Sequence, residues 1–482
     1  MQIGPILRAV GNVQLMSSSL VLPSLGIALW NDDGTAIYFL ESFGILLVIG
    51  LALFFATRGA SGELRMRDGF LVTVLVWLTA SLVLAIPLVL APPNLSYTDA
   101  LFEVVSGLTT TGATMIVGLD QLPQSVLLYR QMLHFYGGLG IVVLAVAILP
   151  SLRVGGIQLT KGETTGPVKD SKLTPRIAQT AAALWLIYVG LNVLCTAAYW
   201  LAGMTFFDAL THSMSTISTG GFGNYDASLA QFDSVTIELI AIVFMILGAA
   251  SFGLHYLAWQ RGSMNPLARD PEFRWFLGII FGVALLVALQ IWLGGRFPGF
   301  IESFRHSLFH VVSAITTTGF VTTGFADWPG MAAAALMLVG FVGGCAGSTS
   351  GAIKVVRVVI TAKLAMREIM RLIHPRARFL VKIGGSSVPD EVISAVAGFV
   401  TVYIAAYVVL SLGVAATGVD LITAFSAVAA CLNNMGPGLG AVAAHFRDLG
   451  DVAVWLCTLA MLIGRLEVFT LLVVLTPAFW RE

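Results

Sequence analysis

Charge is scarce in this sequence: of its 482 residues only 11% are charged, whereas 57% are hydrophobic. A soluble chain of this length needs about a quarter of its residues charged to cover its surface, so a soluble globular fold is excluded. Acidic and basic residues number 26 each, so the net charge indicates no particular partner, and no nucleic-acid partner is expected.

Cysteine and catalytic motifs are also scarce. The four cysteines lie in apolar or small-residue segments without the CxxC spacing of a metal site. No nucleophile–base set or metal motif occurs, so a membrane enzyme is disfavoured and no organic cofactor is expected. The start of the chain contains Arg8 but no compact apolar core or clear cleavage site, so its first apolar stretch is interpreted as a retained helix.

Long apolar runs are abundant, and a helix needs about 20 mostly apolar residues to cross a bilayer. Ten segments satisfy this requirement: 7–30, 36–57, 69–92, 126–150, 177–203, 234–259, 274–295, 329–372, 391–417 and 449–479. The first is the weakest, because three serines and Pro23 interrupt it, and the eighth is too long for one span. The sequence predicts an all-α polytopic protein of the lipid bilayer.

Shorter apolar runs of about a dozen residues lie between several spans, a length that suits re-entrant half-helices. These runs are 98–109, 206–217, 304–316 and 421–432. Basic residues cluster in the loops Arg58–Arg67, Arg153–Arg176, Arg261–Arg274 and Lys354–Lys382. The positive-inside rule places these loops in the cytoplasm, together with the N-terminus, so all four half-helices enter from the external side.

The half-helices belong to an internal repeat. The four copies are LFEVVSGLTTTGA from Leu101, LTHSMSTISTGGF from Leu210, LFHVVSAITTTGF from Leu308 and FSAVAACLNNMGP from Phe425. The first three align without a gap and the fourth aligns more weakly. A generic bundle with glycine-rich turns does not explain the recurring Thr-Thr-Thr-Gly. The predicted divisions are 1–66 (two N-terminal transmembrane helices) and pore repeats 67–153, 174–262, 271–382 and 388–482 around a central pore.

The loops after the half-helices carry no charged side chain, whereas rings of acidic residues are typical of general cation channels. Extended backbone with glycine can turn carbonyl oxygens inward and replace the water shell of an alkali cation. The negative ends of the half-helix dipoles point at the same place. The candidate ion-binding residues are Thr110, Thr111, Gly112, Thr219, Gly220, Gly221, Thr317, Thr318, Gly319, Asn434, Met435 and Gly436.

These four loops resemble the selectivity filters of the Trk/Ktr/HKT superfamily of potassium transporters, and the similarity covers essentially the whole chain. The fourth-filter pattern Asn434–Gly438 and the closing Gly464–Glu467 with Thr470 carry the same resemblance. The extra N-terminal helices, about 7–57, resemble the Trk type. Met435 departs from the threonine of the first and third loops, so only its carbonyl can bind an ion.

The resemblance implies potassium (K+) uptake across the bacterial inner membrane. It also implies a homodimer and a cytosolic ring of nucleotide-binding regulatory subunits that gates the pore. Sodium or mixed sodium/potassium permeation by the same fold is an alternative. A sodium-coupled solute carrier is disfavoured, because it would need an inverted repeat. Whether transport is channel-like or coupled to protons is left open by the sequence.

A glycine-rich segment, residues 343–351, interrupts the overlong eighth span. Nine small residues hold a straight helix poorly, and irregular backbone at membrane depth needs a cavity or protein around it. We expect a mobile loop beneath the filter, where the family has its gate; a helix-packing face is the alternative. The candidate gate residues here are Gly343, Gly344, Gly347 and Gly351.

Arg465 lies in an apolar run, and an intramembrane arginine usually faces a cavity or a partner. It is interpreted as a cationic barrier on the pore axis; the alternative is a buried salt bridge with Glu103 or Glu238. On a continuous helix, Glu467 would lie on a different face and would not be its partner.

The same position of the first three repeats carries Glu103, His212 and His310. Polar side chains at one repeat position can form hydrogen bonds behind the filter. Ordinary packing is the alternative interpretation for these residues.

Overall fold

The computed structural model describes residues 3–60, 66–147, 173–329 and 331–481. Six described helices are long and apolar enough to cross a membrane, or eight if two bent pairs each form one span. In the described chain the strands are one antiparallel pair, β1 (Lys382–Ile383) and β2 (Ser386–Ser387). The chain is therefore an all-α polytopic membrane protein, as predicted. The predicted basic loop between residues 153 and 172, and the end of the fourth predicted span, lie outside the described residues.

Two membrane helices open the chain, and the first of them has an irregular middle. The first consists of α1 (Ile3–Ser18) and α2 (Leu22–Asn31), and the second is α3 (Ala36–Ala56). A short 3₁₀ turn, Ser19–Val21, joins α1 to α2 at the serines that weakened the sequence pattern. The Ser18 hydroxyl donates to the carbonyl of Leu15 at 2.7 Å, so the serine satisfies its polar atom within the helix. The weak first span therefore forms despite its composition.

Four units follow, each containing a long helix, a short helix, a loop and a further helix. The first contains α4 (Met66–Leu84), α5 (Ile86–Leu90), α6 (Tyr97–Leu108) and α7 (Gln124–Ala147). The second contains α8 (Leu173–Leu201), α9 (Phe206–Ile217), α10 (Val235–Gly248) and α11 (Phe252–Arg261). After the connecting α12 (Asn265–Arg269), the third contains α13 (Pro271–Leu293), α14 (Phe300–Ile315), α15 (Ala332–Gly340) and α16 (Val355–Ile373). The fourth contains α17 (Asp390–Ala415), α18 (Leu421–Leu432), α19 (Asp451–Arg465), α20 (Phe469–Leu475) and α21 (Pro477–Trp480).

The short helices α6, α9, α14 and α18 are the predicted half-helices. Three of them have a side chain that caps the first turn: Ser96, Thr205 and Asp420 each accept from the backbone N–H three residues later, at 3.0–3.2 Å. Such caps satisfy N–H groups that have no partner within the helix, so they fix where each helix begins. All four helices are largely buried, which places them inside the bundle.

Two predicted spans, 234–259 and 449–479, are wrong as straight helices. The axes of α10 and α11 differ by 96°, and those of α19 and α20 by 110°. Each break follows a close approach to a short helix: a Cβ on Gly248 would lie 2.7 Å from the Ile217 carbonyl oxygen, and one on Gly464 would lie 1.9 Å from that of Leu432. The apolar composition continues across both breaks, so hydropathy does not reveal them. The predicted interruption of 329–372 is present between α15 and α16.

Candidate functional site

The four loops after the short helices share one backbone conformation. In each, a non-glycine residue has positive φ and a glycine two positions later also has positive φ. These pairs are Thr110 and Gly112 (49° and 84°), Thr219 and Gly221 (54° and 83°), Thr317 and Gly319 (56° and 82°), and Asn434 and Gly436 (55° and 94°). Positive φ is uncommon for non-glycine residues, so its fourfold recurrence is a specific feature. The weakly aligned fourth copy therefore has the same local structure as the others.

The loops form a closed ring, as the space around their glycines shows. A Cβ on Gly112 would lie 2.2 Å from the carbonyl oxygen of Gly220, one on Gly221 1.8 Å from that of Thr318, one on Gly319 2.0 Å from that of Met435, and one on Gly436 2.7 Å from that of Thr111. Each glycine thus lies against a carbonyl of the next loop, and the fourth loop returns to the first. Only glycine fits these positions, and the four loops surround a common axis.

Hydroxyl groups form hydrogen bonds within the loops and between loops of neighbouring repeats. The hydroxyls of Thr109 and Thr111 lie 2.7 Å apart, and the equivalent pair in the third loop has the same distance. The Asn434 amide donates to the Thr111 hydroxyl at 2.9 Å, which joins the fourth loop to the first. The short helices end at these loops, so their partial negative charge favours a cation there.

A cavity of about 750 Å³ opens on the side predicted to be external, and residues that follow all four loops line it. Asp226 and Asp327 are among its lining residues and bring negative charge to this mouth. Asp226 accepts hydrogen bonds from the N–H groups of Gly118 at 2.8 Å and Leu119 at 3.0 Å. This carboxylate therefore also ties the exit segments of the first two repeats together.

The glycine-rich loop, residues 343–351, lies against the opposite ends of three loops. Thr349 donates to the carbonyl of Ile217 at 3.0 Å, and Ser350 donates to that of Thr316 at 2.8 Å. The N–H of Gly351 donates to the Thr317 hydroxyl at 2.8 Å, and a Cβ on Gly351 would lie 2.2 Å from the Asn433 carbonyl oxygen. The segment is therefore an irregular loop in contact with the second, third and fourth repeats.

Glu272 anchors this loop to α16. Its carboxylate accepts from the N–H of Ala346 at 2.8 Å and from that of Val356, at the start of α16, at 3.1 Å. Lys354 stands between loop and helix with φ of 82°, and its ammonium group donates to the Ser350 carbonyl. Glu272 and Lys354 therefore connect the glycine-rich loop to the start of α16.

Arg465 contacts the first loop. The hydrogen bonds of the glycine-rich loop described above do not reach this loop. Its guanidinium is buried and donates to the Thr110 hydroxyl. Among the described residues no carboxylate lies within ion-pair distance of Arg465. The two proposed partners are engaged elsewhere, Glu103 with Arg130 at 2.8 Å and Glu238 with Arg305 at 3.6 Å. The salt-bridge alternative is therefore wrong for both of these carboxylates.

Glu467 pairs with Arg357 on α16 at 2.7 Å rather than with Arg465. The conclusion that Glu467 does not pair with Arg465 is correct, but the argument from a continuous helix is wrong. The helix α19 ends at Arg465, and Glu467 has φ of 51° in the break.

The polar residues behind the loops behave differently from one repeat to the next. Glu103 accepts from the N–H of Met115 at 2.8 Å, and a ring nitrogen of His310 lies 3.1 Å from the Thr323 carbonyl, so both bond to the segment leaving their own loop. His212 instead bonds to the Asp208 carbonyl of its own helix at 2.9 Å, so the hydrogen bond behind the filter is wrong for this residue.

Sequence reasoning missed Thr349, Ser350 and Glu272, because their partners lie far away in the chain. It also missed the glycines at which the later helices approach the short ones, Gly137, Gly248 and Gly464. These glycines lie 25, 27 and 28 positions after Gly112, Gly221 and Gly436 of the first, second and fourth loops, and this similar spacing is the signal that identifies them.

Comparison with known proteins gives a consistent result. The profile of the family TrkH, described as a cation transport protein, matches residues 37–481. A Trk system potassium uptake protein TrkH from Vibrio parahaemolyticus is 50% identical over 100% of both chains, and one from Escherichia coli K12 is 47% identical over 99% of each. The crystal structure of the potassium transporter TrkH from Vibrio parahaemolyticus superposes with a TM-score of 0.93 at 47% identity, covering 100% of both chains.

Proposed function

This chain belongs to the TrkH family of cation transport proteins, and we propose from this that it takes up potassium across the bacterial inner membrane through the ring of four loops. The chain is a transport protein rather than an enzyme. One observation carries the proposal: four uncharged loops close a ring in which each glycine faces a carbonyl of its neighbour. Carbonyl oxygens around an axis can replace the water shell of a potassium ion.

The proposed ion ligands are the twelve residues that occupy equivalent positions in the ring. They are Thr110, Thr111, Gly112, Thr219, Gly220, Gly221, Thr317, Thr318, Gly319, Asn434, Met435 and Gly436. The backbone of Met435 fits this role, because its carbonyl oxygen takes the same place against the neighbouring glycine as those of Thr111, Gly220 and Thr318. Its sulfur lies on another side, 2.7 Å from where a Cβ of Gly340 would stand.

Cation-resolved flux into liposomes tests the function. Purified protein is reconstituted, and uptake of potassium and sodium is measured with and without an imposed pH gradient. We expect potassium uptake to exceed sodium uptake several-fold. Equal uptake of the two ions would instead support mixed permeation by the same fold. A requirement for the pH gradient would indicate proton coupling.

The proposal includes a gate at the inner ends of the loops. Gly343, Gly344, Gly347 and Gly351 form the flexible part, and Arg465 supplies a positive charge beside the first loop. Contacts with all four repeats support this proposal. The glycine-rich loop forms hydrogen bonds with the second and third repeats and packs against the fourth, and Arg465 forms a hydrogen bond with the first. Glu272 and Lys354 link the same loop to α16, which leads away toward the predicted cytoplasmic side.

A cytosolic ring of nucleotide-binding regulatory subunits is the proposed partner, and the segment Lys354–Lys382 is the proposed contribution of this chain to docking. The far end of α16 is exposed and carries both basic residues and apolar ones such as Leu372 and Ile373. Arg371 is held by Glu368 at 3.0 Å, whereas Arg376 and Arg378 are exposed beyond the helix. This surface is continuous with the loop under the ring.

Reversing the charge of Arg371, Arg376 and Arg378 to glutamate is expected to weaken regulatory-subunit binding by about tenfold or more, as the loss of three rim charges implies. A pull-down with protein that has inserted correctly measures this. Reversal of the exposed Arg261 and Arg269 in another predicted cytoplasmic loop is the matched control. Equal binding by both variants and the unaltered protein would remove the docking hypothesis.

The remaining parts of the proposal are the division of the chain, its assembly and its orientation. The divisions are the N-terminal helix pair 1–66 and pore repeats 67–153, 174–262, 271–382 and 388–482. A homodimer and an inner-membrane location with a cytoplasmic N-terminus complete the proposal; the distribution of basic residues supports the orientation.

A further inference from the structure

A buried ion pair lies behind the ring of loops, at the junction of the first two repeats. Glu103 on α6 and Arg130 on α7 meet with the Arg130 Nε atom 2.8 Å from the Glu103 carboxylate, and both side chains are at most 1% exposed. Charges in such surroundings are costly, and a buried pair contributes little net stability compared with apolar residues of the same size. The role of this pair is therefore inferred from its contacts with other residues rather than from a contribution to stability.

Glu103 holds the segment that leaves the first loop. Its carboxylate accepts from the N–H of Met115 at 2.8 Å and from the Thr114 hydroxyl at 3.0 and 3.1 Å. The Thr114 oxygen in turn accepts from the N–H of Ile116 at 3.1 Å. These bonds begin two residues after Gly112, so they fix the backbone directly beyond the ring.

Arg130 reaches the corresponding segment of the second repeat. It donates to the Gly223 carbonyl at 3.1 Å, and its guanidinium lies over the Phe222 ring at 4.1 Å. The neighbouring Gln131 donates to the Phe222 carbonyl at 2.9 Å. Phe222 directly follows Gly221 of the second loop. The pair thus joins the backbones of two adjacent loops through side chains, and we name Glu103 and Arg130 the brace.

The other three junctions are built differently in the described part of the chain. Glu103 is replaced by His212, His310 and Ala427 at the equivalent positions. His310 bonds to its own exit segment, and in the fourth repeat Ser426 and the backbone of Leu439 bond to each other. His212 bonds within its own helix, so none of these hydrogen bonds of the described residues is an ion pair or crosses to the next repeat. A general requirement of the fold would be met at all four junctions, so the brace has a local role.

We propose that Glu103 and Arg130 are positioning residues that set the spacing between the first and second loops and thereby the preference of the ring for potassium over sodium. This inference rests on the proposed function of the ring. Sodium is the smaller ion, so a ring whose carbonyls are held apart at the potassium distance binds sodium less well. Without the brace the two backbones can approach each other, and the discrimination falls.

The test is the potassium-to-sodium permeability ratio of reconstituted protein, measured from reversal potentials. Glu103→Gln keeps the side-chain shape but removes its charge, and Arg130→Lys keeps the charge but loses the fork that reaches Gly223 and the face that covers Phe222. Each variant is expected to lower the ratio by about tenfold, as the loss of a charge-assisted hydrogen bond implies. The ratio does not depend on how much protein folds, so a merely structural role would leave it unchanged.

Glu238→Gln is the matched control, because it removes the charge of another buried glutamate whose ion-pair partner, Arg305, lies outside the ring. We expect its ratio to equal that of the unaltered protein. An unaltered ratio in both Glu103→Gln and Arg130→Lys would overturn the inference, and so would an equal loss in the control. Absence of a potassium preference in the unaltered protein would contradict the proposed function itself.

Discussion

Arg465→Ala is expected to raise potassium flux by about fivefold to several-hundred-fold, with little change in the potassium-to-sodium ratio. A fixed positive charge about 4 Å from a permeating cation repels it by roughly 1 kcal/mol in water and about 4 kcal/mol at an effective dielectric near 20. Arg465 lies beside Thr110 without a carboxylate within ion-pair distance in the described residues, so its charge is not cancelled locally. The measurement is single-channel conductance.

Two further substitutions separate charge from hydrogen bonding. Arg465→Gln can still donate toward the Thr110 hydroxyl but has no charge, whereas Arg465→Lys keeps the charge. A charge barrier predicts high conductance for the alanine and glutamine variants and nearly unaltered conductance for lysine. Conductance of the alanine variant at or below that of the unaltered protein would contradict the barrier hypothesis.

Gly343→Val is expected to change the open probability by about 5- to 30-fold without changing ion preference. Gly343 has φ of 75°, and its Cβ would stand 2.7 Å from the Gly351 carbonyl oxygen. Valine is strained in this conformation by about 1–2 kcal/mol. The loop position beneath the ring is therefore destabilised, and under the proposed gating role the equilibrium shifts away from it. Single-channel recordings give both the open probability and the ion preference.

Gly278→Val is the matched control for this experiment. Gly278 lies within α13 and has nothing within 4 Å of its Cβ position, so valine meets no backbone there. We expect its gating to be unaltered. If Gly343→Val also left open probability and flux unchanged, the glycine-rich loop would serve packing alone.

Local patterns were sufficient to predict the short helices and the loops. The run 98–109 became α6 over Tyr97–Leu108, because a dozen apolar residues between a capping serine and a glycine-bearing loop define both ends. The run 304–316 was less accurate at its start: α14 begins at Phe300, where no capping side chain marks the boundary. The glycines of the ring were identifiable because their spacing repeats. Sequence composition alone did not show that each of these glycines would lie against a carbonyl of the next repeat.

Features that depend on distant contacts could not be predicted in the same way. The bends after Gly248 and Gly464 arise where a helix meets the end of a short helix, and the sequence around them stays apolar. The Arg465–Thr110 contact joins residues 355 positions apart, and Glu272 reaches Ala346 across 74. Only the folded chain brings such groups together, so the contact of Glu272 with the glycine-rich loop had no sequence signal.

The closed ring is built from four inexact copies on one polypeptide, and this gives evolution a freedom that a tetramer of identical subunits lacks. A substitution in an identical-subunit pore appears four times at once, whereas here it alters one quarter of the circumference. Each loop touches the glycine or carbonyl of its two neighbours, so a change is felt by them first. The brace lies at one junction, and Arg465 lies beside one loop. Divergence between the copies permits such differences, because one repeat can become more rigid while another contributes a charge.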